Sequence, residues 1–474
     1  MRNLMYLVIV AAMSAAYLSS LDVSIVPGVV RFLPDLLSAL TVVYVAAAGI
    51  RQRFRYVNMK YWLIFGAIGV VMVCGPVVNH EAPGPMVAGM RYYLRAIPFF
   101  FLPAIAGFSD RDIQRYMNLI FAFSLLQAPL AVSQRVASEA KGWFTGDYVY
   151  GTLMISGILS LFLIAVLCVM SALMLRGRFS KIWFAVCFVV LIIPMSINET
   201  KVTVFLLPLG LLTTFALASP PERRIRVTLS ALGLLIIAGA IFVPLYDYLN
   251  TRHNPDPFTI EDFLTGHGKV ESYLQNNAGV GTGKEAGRAD ALIVPFKELS
   301  RDPIKFTFGL GLGNASNSSI GSQFSGRYKS LYWNYVGEES ASAFLFELGF
   351  LGTSLILLLH WLVLRDAFFV AKRDHGLIGI LALGYVGAWI TITIGLFYLT
   401  IHTFESLSFM FWFFSGLIAA RREQLAVGRV PGSRPLPVTS KRSTRKLQSS
   451  RRFADSGSGQ RSCLAILPNG RPTR

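Results

Sequence analysis

Of 474 residues, 54% are hydrophobic and only 15% are charged, and the mean hydropathy is +0.53. A soluble globule this apolar would expose aggregating patches, so the composition excludes the soluble class. The formal net charge of +18 does not argue for nucleic acid, because residues 421–474 hold thirteen Lys and Arg against Glu423 and Asp455 and carry +11 of it.

Apolar runs predict twelve membrane-spanning helices, at 4–20, 32–50, 61–79, 92–108, 115–134, 151–175, 182–197, 202–218, 227–246, 340–364, 376–399 and 403–420. Most reach the roughly 17–25 residues that a helix needs to cross hydrocarbon. The fourth and seventh are short, as broken or tilted helices are. The first has only Arg2 as a basic leader and no small-residue cleavage site near Ala15–Ser20, so it reads as an anchor. The basic links orient the chain. Arg51, Arg53, Arg55 and Lys60 follow span two, Arg176, Arg178 and Lys181 follow span six, Arg223, Arg224 and Arg226 follow span eight, and Arg365, Lys372 and Arg373 follow span ten. The positive-inside rule makes these links cytoplasmic, with both termini inside. Four regions result: nine spans over 1–246, an external segment at 247–338, three spans over 339–420, and a tail at 421–474. The tail is rich in Ser, Pro, Gly and Arg and reads as a disordered strip drawn to anionic lipid.

Ionisable residues near hydrocarbon are functional candidates by default. Here they gather on the external side: Asp22, Arg31 and Asp35; Arg91 and Arg95; Glu199 and Lys201; Glu338, Glu339 and Glu347; His402 and Glu405. Two readings compete. Interfacial arginine and lysine snorkel at helix ends, which covers the first group. Arg95, Glu347 and Glu405 lie a turn or more inside their spans, and a single cavity open to the outer face accounts for them better. A transporter often places charges or broken helices near the midplane, whereas a site confined to one leaflet suits an enzyme acting on a lipid head group.

The external segment is too long for a passive connector. Phe258, Ile260, Phe263 and Leu264 predict one short amphipathic helix, and 285–300 predicts a second. Arg288 opens the second, where a guanidinium beside a helix N-terminus suits phosphate; a solvated surface arginine is the plainer alternative. Gly309, Gly311 and Gly313 permit tight turns that return the chain to the membrane. The segment has nine basic and ten acidic residues and no cysteine, so it is not a disulfide-stapled module.

Over roughly residues 1–420 this pattern resembles the O-antigen ligase/polymerase family of bacterial membrane glycosyltransferases. Three stretches carry the resemblance: NETKVTVFLLPLG at 198–210, GRADALIVPFKELSRDPIKFTFGLGLG at 287–313, and EESASAFLFELGFLG at 338–352. The family implies an all-α membrane fold of about a dozen helices, of the GT-C kind, with a large periplasmic loop between the ninth and tenth. In the first stretch Lys201 stands where the family has a Ser-Arg pair, whose arginine is implied to hold the lipid pyrophosphate. In the second, Arg288 falls on the family's other essential arginine. The third carries Glu347, Gly349 and Gly352 in the expected spacing, but Glu338 and Glu339 replace the His-Asn pair typical of ligases.

The resemblance implies transfer of a glycan from undecaprenyl pyrophosphate to an acceptor hydroxyl at the outer face of the bacterial inner membrane. Lys201, Arg288, Arg91 and Arg95 would hold pyrophosphate, Glu339 or Glu338 would serve as base, and Glu347, His402 and Glu405 would be accessory. No paired-Asp motif or His/Cys spacing appears in the external segment, so the expectation is chemistry without a metal or other cofactor. The missing His favours a polymerase of exopolysaccharide, capsule or O-antigen repeats over a ligase. A flippase or exporter and a non-catalytic assembly subunit remain as alternatives. The expected partners are the lipid-linked glycan, membrane lipids and other polysaccharide assembly proteins, not nucleic acid.

Overall fold

The computed structural model describes residues 2–427, except 22–27, 53, 55–56, 220, 254–258, 266–270, 272–273, 276–285, 319 and 338. Asp22, Glu338, Phe258 and the basic tail therefore lie outside the described residues. Helix makes up 81% of the structure, and the described residues contain no strand. In chain order the helices are α1 (Arg2–Ser20), α2 (Leu33–Gln52), α3 (Met59–Val78), α4 (Pro83–Leu94), α5 (Ile97–Ala106), α6 (Asp110–Ala140), α7 (Ser156–Leu175), α8 (Lys181–Ile197) and α9 (Thr203–Ala218). There follow α10 (Arg224–His253), α11 (Ile260–Thr265), α12 (Asp290–Leu299), α13 (Pro303–Phe308), α14 (Lys329–Val336), α15 (Ser340–Arg373), α16 (Leu377–Gly395) and α17 (Glu405–Ala426).

Among the described residues, eight helices are long and apolar enough to cross a membrane: α1, α2, α3, α6, α7, α10, α15 and α16. The architecture is that of a helical, multi-pass membrane protein. The expected count of twelve is not reached on this measure. The fourth, seventh and eighth predicted spans fold as the shorter apolar helices α5, α8 and α9. The twelfth folds as α17, which has Glu405 at its start and Arg421, Arg422 and Glu423 near its end. The fourth is cut because the chain breaks at Arg95–Ala96, which leaves α4 as a separate helix before α5. Hydropathy averages over such a break and does not register it.

Burial ranks the helices. In α7 and α16, 78% of the apolar window is buried within the protein, against 17% for α10, so α7 and α16 form the centre and α10 lies outside. Small residues bring the central backbones together, as helices associating in lipid require. A Cβ on Gly384 of α16 would lie 2.6 Å from the Val169 Cα of α7, and one on Gly387 would lie 2.4 Å from the Gly210 carbonyl of α9.

One end of the bundle is closed by a polar clamp. Asn58 caps α3 by accepting from the Lys60 N–H at 3.0 Å. The Lys60 ammonium then reaches both oxygens of Asp366 on α15, at 2.6 and 2.7 Å. Tyr61 donates to the same carboxylate at 2.7 Å, and Arg422 of α17 approaches it at 3.1 Å. Asp366 is buried, so its removal leaves Lys60 without its carboxylate, while Arg422 keeps Glu423 at 2.6 Å. Asp366→Ala is expected to cost about 3 kcal/mol, near the lower end for breaking a buried pair. The readout is a lower unfolding temperature of the detergent-solubilised protein, with reduced membrane level; an unchanged melting curve would refute the clamp.

The opposite end is built differently. Gly309, Gly311 and Gly313 all have positive φ, at 76°, 104° and 77°. They carry the chain in a close-fitting strip between α3, α4 and α15, which refines the expected turn. Within α15 the backbone leaves helical geometry at Gly349 (φ 68°, ψ −172°). The break frees the Phe346 carbonyl, which accepts from the Leu310 N–H at 2.7 Å. A Cβ on Gly349 would lie 2.4 Å from the Gly309 nitrogen, so only glycine admits the strip here. Asn79, just past α3, donates to the Gly309 carbonyl at 2.9 Å.

Candidate functional site

The site end is organised around residues 396–405, where the chain turns from α16 into α17. Leu399 O accepts from both the N–H and the hydroxyl of Ser340, each at 2.9 Å, and Leu396 O accepts from the Ala341 N–H at 2.9 Å. These bonds satisfy donors at the start of α15 that a helix leaves open. His402 lies in a 3-10 turn (Ile401–Thr403), with Nδ1 3.0 Å from the Ser340 hydroxyl. Its ring sits 5.3 Å from that of Tyr93 and 5.0 Å from that of Phe344. Burial, then the Arg95 charge, holds the His402 imidazole down at about 3, so it stays neutral at any physiological pH.

Arg288 precedes α12 and donates to the Tyr398 carbonyl at 3.1 Å, with its guanidinium 4.9 Å from the centre of the Tyr398 ring. Lys201 lies in the short link between α8 and α9. Burial lowers the Lys201 pKa; Glu199 and Asp147 oppose that, and the Arg288 charge adds to it. The structure thus brings together the two cations that the sequence nominated 87 positions apart. Two half-buried positive groups near one another raise each other's electrostatic cost, and an anion between them relieves it.

The link carrying Lys201 is held by a residue that the sequence reading missed. Arg135, at the end of α6, is buried and donates to Glu199 at 2.7 Å and to Glu139 at 2.7 Å. Glu199 has a positive φ of 55°, unusual for a residue with a side chain. Burial raises its pKa, and Arg135 opposes the rise. The one sequence signal was an arginine immediately after a predicted span on the non-basic side.

Arg91 and Arg95 are occupied within the protein. Arg91 makes a two-pronged contact with Asp35 of α2, at 3.1 and 2.6 Å. Arg95 lies 3.4 Å from the same carboxylate and donates to Glu405 and to the Thr403 carbonyl. Arg91, Arg95 and Glu405 therefore tie α2, α4 and α17 together, which departs from the expected phosphate-holding and accessory roles. Glu347, expected as an accessory residue, is enclosed by the protein's own donors. It is buried and accepts from Tyr93 at 3.0 Å, from the Ser316 hydroxyl, and from the N–H groups of Gly313 and Ala315. It anchors the glycine strip. Glu339, at the N-cap of α15, has no accessible surface in this conformation.

A cleft of about 200 Å³ opens beside these groups, and Tyr92, Ser316, Asn317, Trp333, Gly337 and His402 line it. Tyr92 and His402 also border an apolar cavity that reaches His360 and Trp412. The two residues thus stand between the cleft and the apolar interior.

Glu81 follows α3 and faces the glycine strip. Both its carboxyl oxygens are buried without a hydrogen-bond partner among the described residues, and a Cβ on Gly311 would lie 2.1 Å from one of them. Burial, then the Glu347 carboxylate, push it up from an ordinary 4.5 to about 8, with Arg327 opposing. An acid whose folded pKa is raised contributes stability in full below its ordinary pKa, and this is lost as pH climbs through the folded value. The strip is therefore expected to loosen between about pH 4.5 and pH 8. Amide exchange at 309–313, corrected for intrinsic rates, should speed up across that window and become flat in Glu81→Gln; equal slopes in both proteins would refute this account.

No family model matches this chain, and no curated protein matches it.

Proposed function

We propose that this protein is a membrane glycosyltransferase that polymerises lipid-linked oligosaccharide repeats at the outer face of the bacterial inner membrane. What supports the reading is that the Arg288 charge acts on Lys201, with Arg288 held on the Tyr398 carbonyl, in the same turn whose Thr400, His402 and Thr403 line a cleft. A pyrophosphate linked to undecaprenol has the matching form, with a dianionic head and a hydrocarbon tail. In this reading both termini are cytoplasmic, and the links carrying the site are external.

Transfer breaks the bond between the anomeric carbon and the pyrophosphate oxygen. It forms a bond from that carbon to a hydroxyl oxygen of the acceptor repeat. The pyrophosphate departs with the electron pair, and Lys201 and Arg288 stabilise the charge that develops on it. The hydroxyl proton passes to a base. His402, with its pKa near 3, is too weak a base and positions Ser340 instead. Glu339 has no exposed surface. Of the two carboxylates that the sequence nominated, the base is proposed to be Glu338.

Deleting the gene and sizing the extracted glycans tests the reading. Accumulation of single lipid-linked repeats is the expected result. Full-length polymer retained on its lipid carrier would mean a ligase, and unchanged polymer and attachment would sink the enzyme reading.

A further inference from the structure

The segment between α6 and α7 is held more firmly than a connector requires. Gln134 accepts from the N–H groups of Tyr150 and Gly151 at 3.1 and 2.7 Å and donates to the Gly151 carbonyl at 2.8 Å. Gln127 accepts from the Thr152 N–H at 2.8 Å. Arg135 holds the Phe144 carbonyl at 3.3 Å with the same guanidinium that holds Glu199. Gly146 packs so closely on the Lys201 link that a Cβ there would lie 2.5 Å from the Asn198 carbonyl carbon.

The aromatic side chains on this ordered loop face outward. Trp143 is 47% exposed and Tyr148 is 42% exposed. Their rings stack with centroids 4.7 Å apart and planes 24° from parallel, and the Lys141 ammonium lies 5.3 Å from the Trp143 ring. Asp147, next to Tyr148, is close enough to Lys201 to act on its pKa.

Exposed Trp and Tyr at the end of a membrane bundle often serve as interface anchors. An anchor needs neither a stacked pair nor an ordered loop. Here two amides and an arginine on α6, groups that are costly to place in an apolar bundle, serve to fix the loop. A rigid Trp or Tyr gives a large contact face at low entropic cost. With the Lys141 ammonium over the Trp143 ring, the exposed Tyr148 ring is the face offered to a pyranose, whose C–H face lies on an aromatic ring while its hydroxyls bond polar groups around it.

We propose that Trp143 and Tyr148 form a saccharide-stacking platform that holds a sugar ring of the glycan beside Lys201 and Arg288. This rests on the reading that a lipid-linked glycan is the substrate. Two departures from the wild type, Tyr148→Ala and Tyr148→Leu, separate stacking from anchoring, because leucine keeps the apolar bulk and loses the π face. Glycans from cells carrying each variant are sized and normalised to membrane protein level, with Tyr148→Phe and Arg288→Ala run beside them. Both the alanine and leucine variants should shorten the modal chain about fivefold, the scale of one aromatic contact, and Tyr148→Phe should restore it. If leucine also restores it, or if the alanine variant loses only protein level, the pair is an anchor and the platform is overturned. If Tyr148→Ala gives wild-type chains while Arg288→Ala gives none, the platform falls and the enzyme reading stands. If Arg288→Ala gives wild-type chains, the glycan is not held beside Arg288 and the platform is overturned, while deletion of the gene still decides the enzyme reading.

Discussion

Arg288→Ala should reach the membrane at wild-type level and leave lipid-linked repeats unjoined. The expected fall in rate is about 10²–10³-fold, or roughly 3–4 kcal/mol, as for loss of one group that stabilises developing negative charge. Lys201→Ala should act in the same direction. The two variants carry a signature that a structural ion pair would not. The Arg288 charge acts against the Lys201 ammonium, so Arg288→Ala relieves that repulsion while giving up its bond to the Tyr398 carbonyl, and protein level and melting temperature should change little while polymer is lost. Arg288→Lys keeps the charge but not the planar fork, and should recover only part of the rate. Polymer of normal length from both alanine variants would remove the pyrophosphate site.

Glu338→Gln should lower the rate by about 10²–10⁴-fold at normal protein level, the span of general base catalysis. Glu339→Gln should behave otherwise. Glu339 is sealed at the N-cap of α15, immediately before the Ser340 that is bonded to Leu399 and His402. Its replacement should reduce membrane level and melting temperature together, with activity falling in proportion to protein. If instead Glu339→Gln is abundant and inactive while Glu338→Gln works, the base is the sealed carboxyl and the cleft must open during turnover. The two variants on one glycan gel, with an immunoblot for level, decide the matter.

The sequence was most informative where the physics is local. Apolar runs located the helices, because burial of a continuous apolar stretch is decided within the stretch itself. Arg288 stood out as a guanidinium beside a helix start, and Lys201 as a cation in a brief link between two spans. What could not be read was pairing. Arg91 meets Asp35 across 56 positions and Arg95 meets Glu405 across 310, and no local pattern distinguishes a cation with such a partner from one that faces a ligand. Arg135 was hidden for a related reason, since it looks like any interfacial arginine until Glu199 is brought to it. The interruption just before Pro98, where Arg95 and Ala96 keep right-handed helical angles, and the one-residue break at Gly349 were also invisible, because hydropathy sums over residues. The glycines at 309, 311 and 313 marked a turn, but not that the turn would be clasped by α3, α4 and the gap in α15.

That clasp sets an order in time. Asn79 finds the Gly309 carbonyl 230 positions later, and Tyr93 finds Glu347 after 254. A chain made from its N-terminus therefore inserts α3 and α4 long before the segment that completes their ends has been synthesised. The late pairing is a slow step by the logic of contact separation. Until α15 is in place and bent at Gly349, the Phe346 carbonyl and the Leu310 N–H have not met, and the clasp on the glycine strip is unfinished. Biogenesis thus leaves this end of the bundle incomplete until the last third of the chain arrives, so a ribosome stalled before Gly349 leaves inserted helices without their clasp.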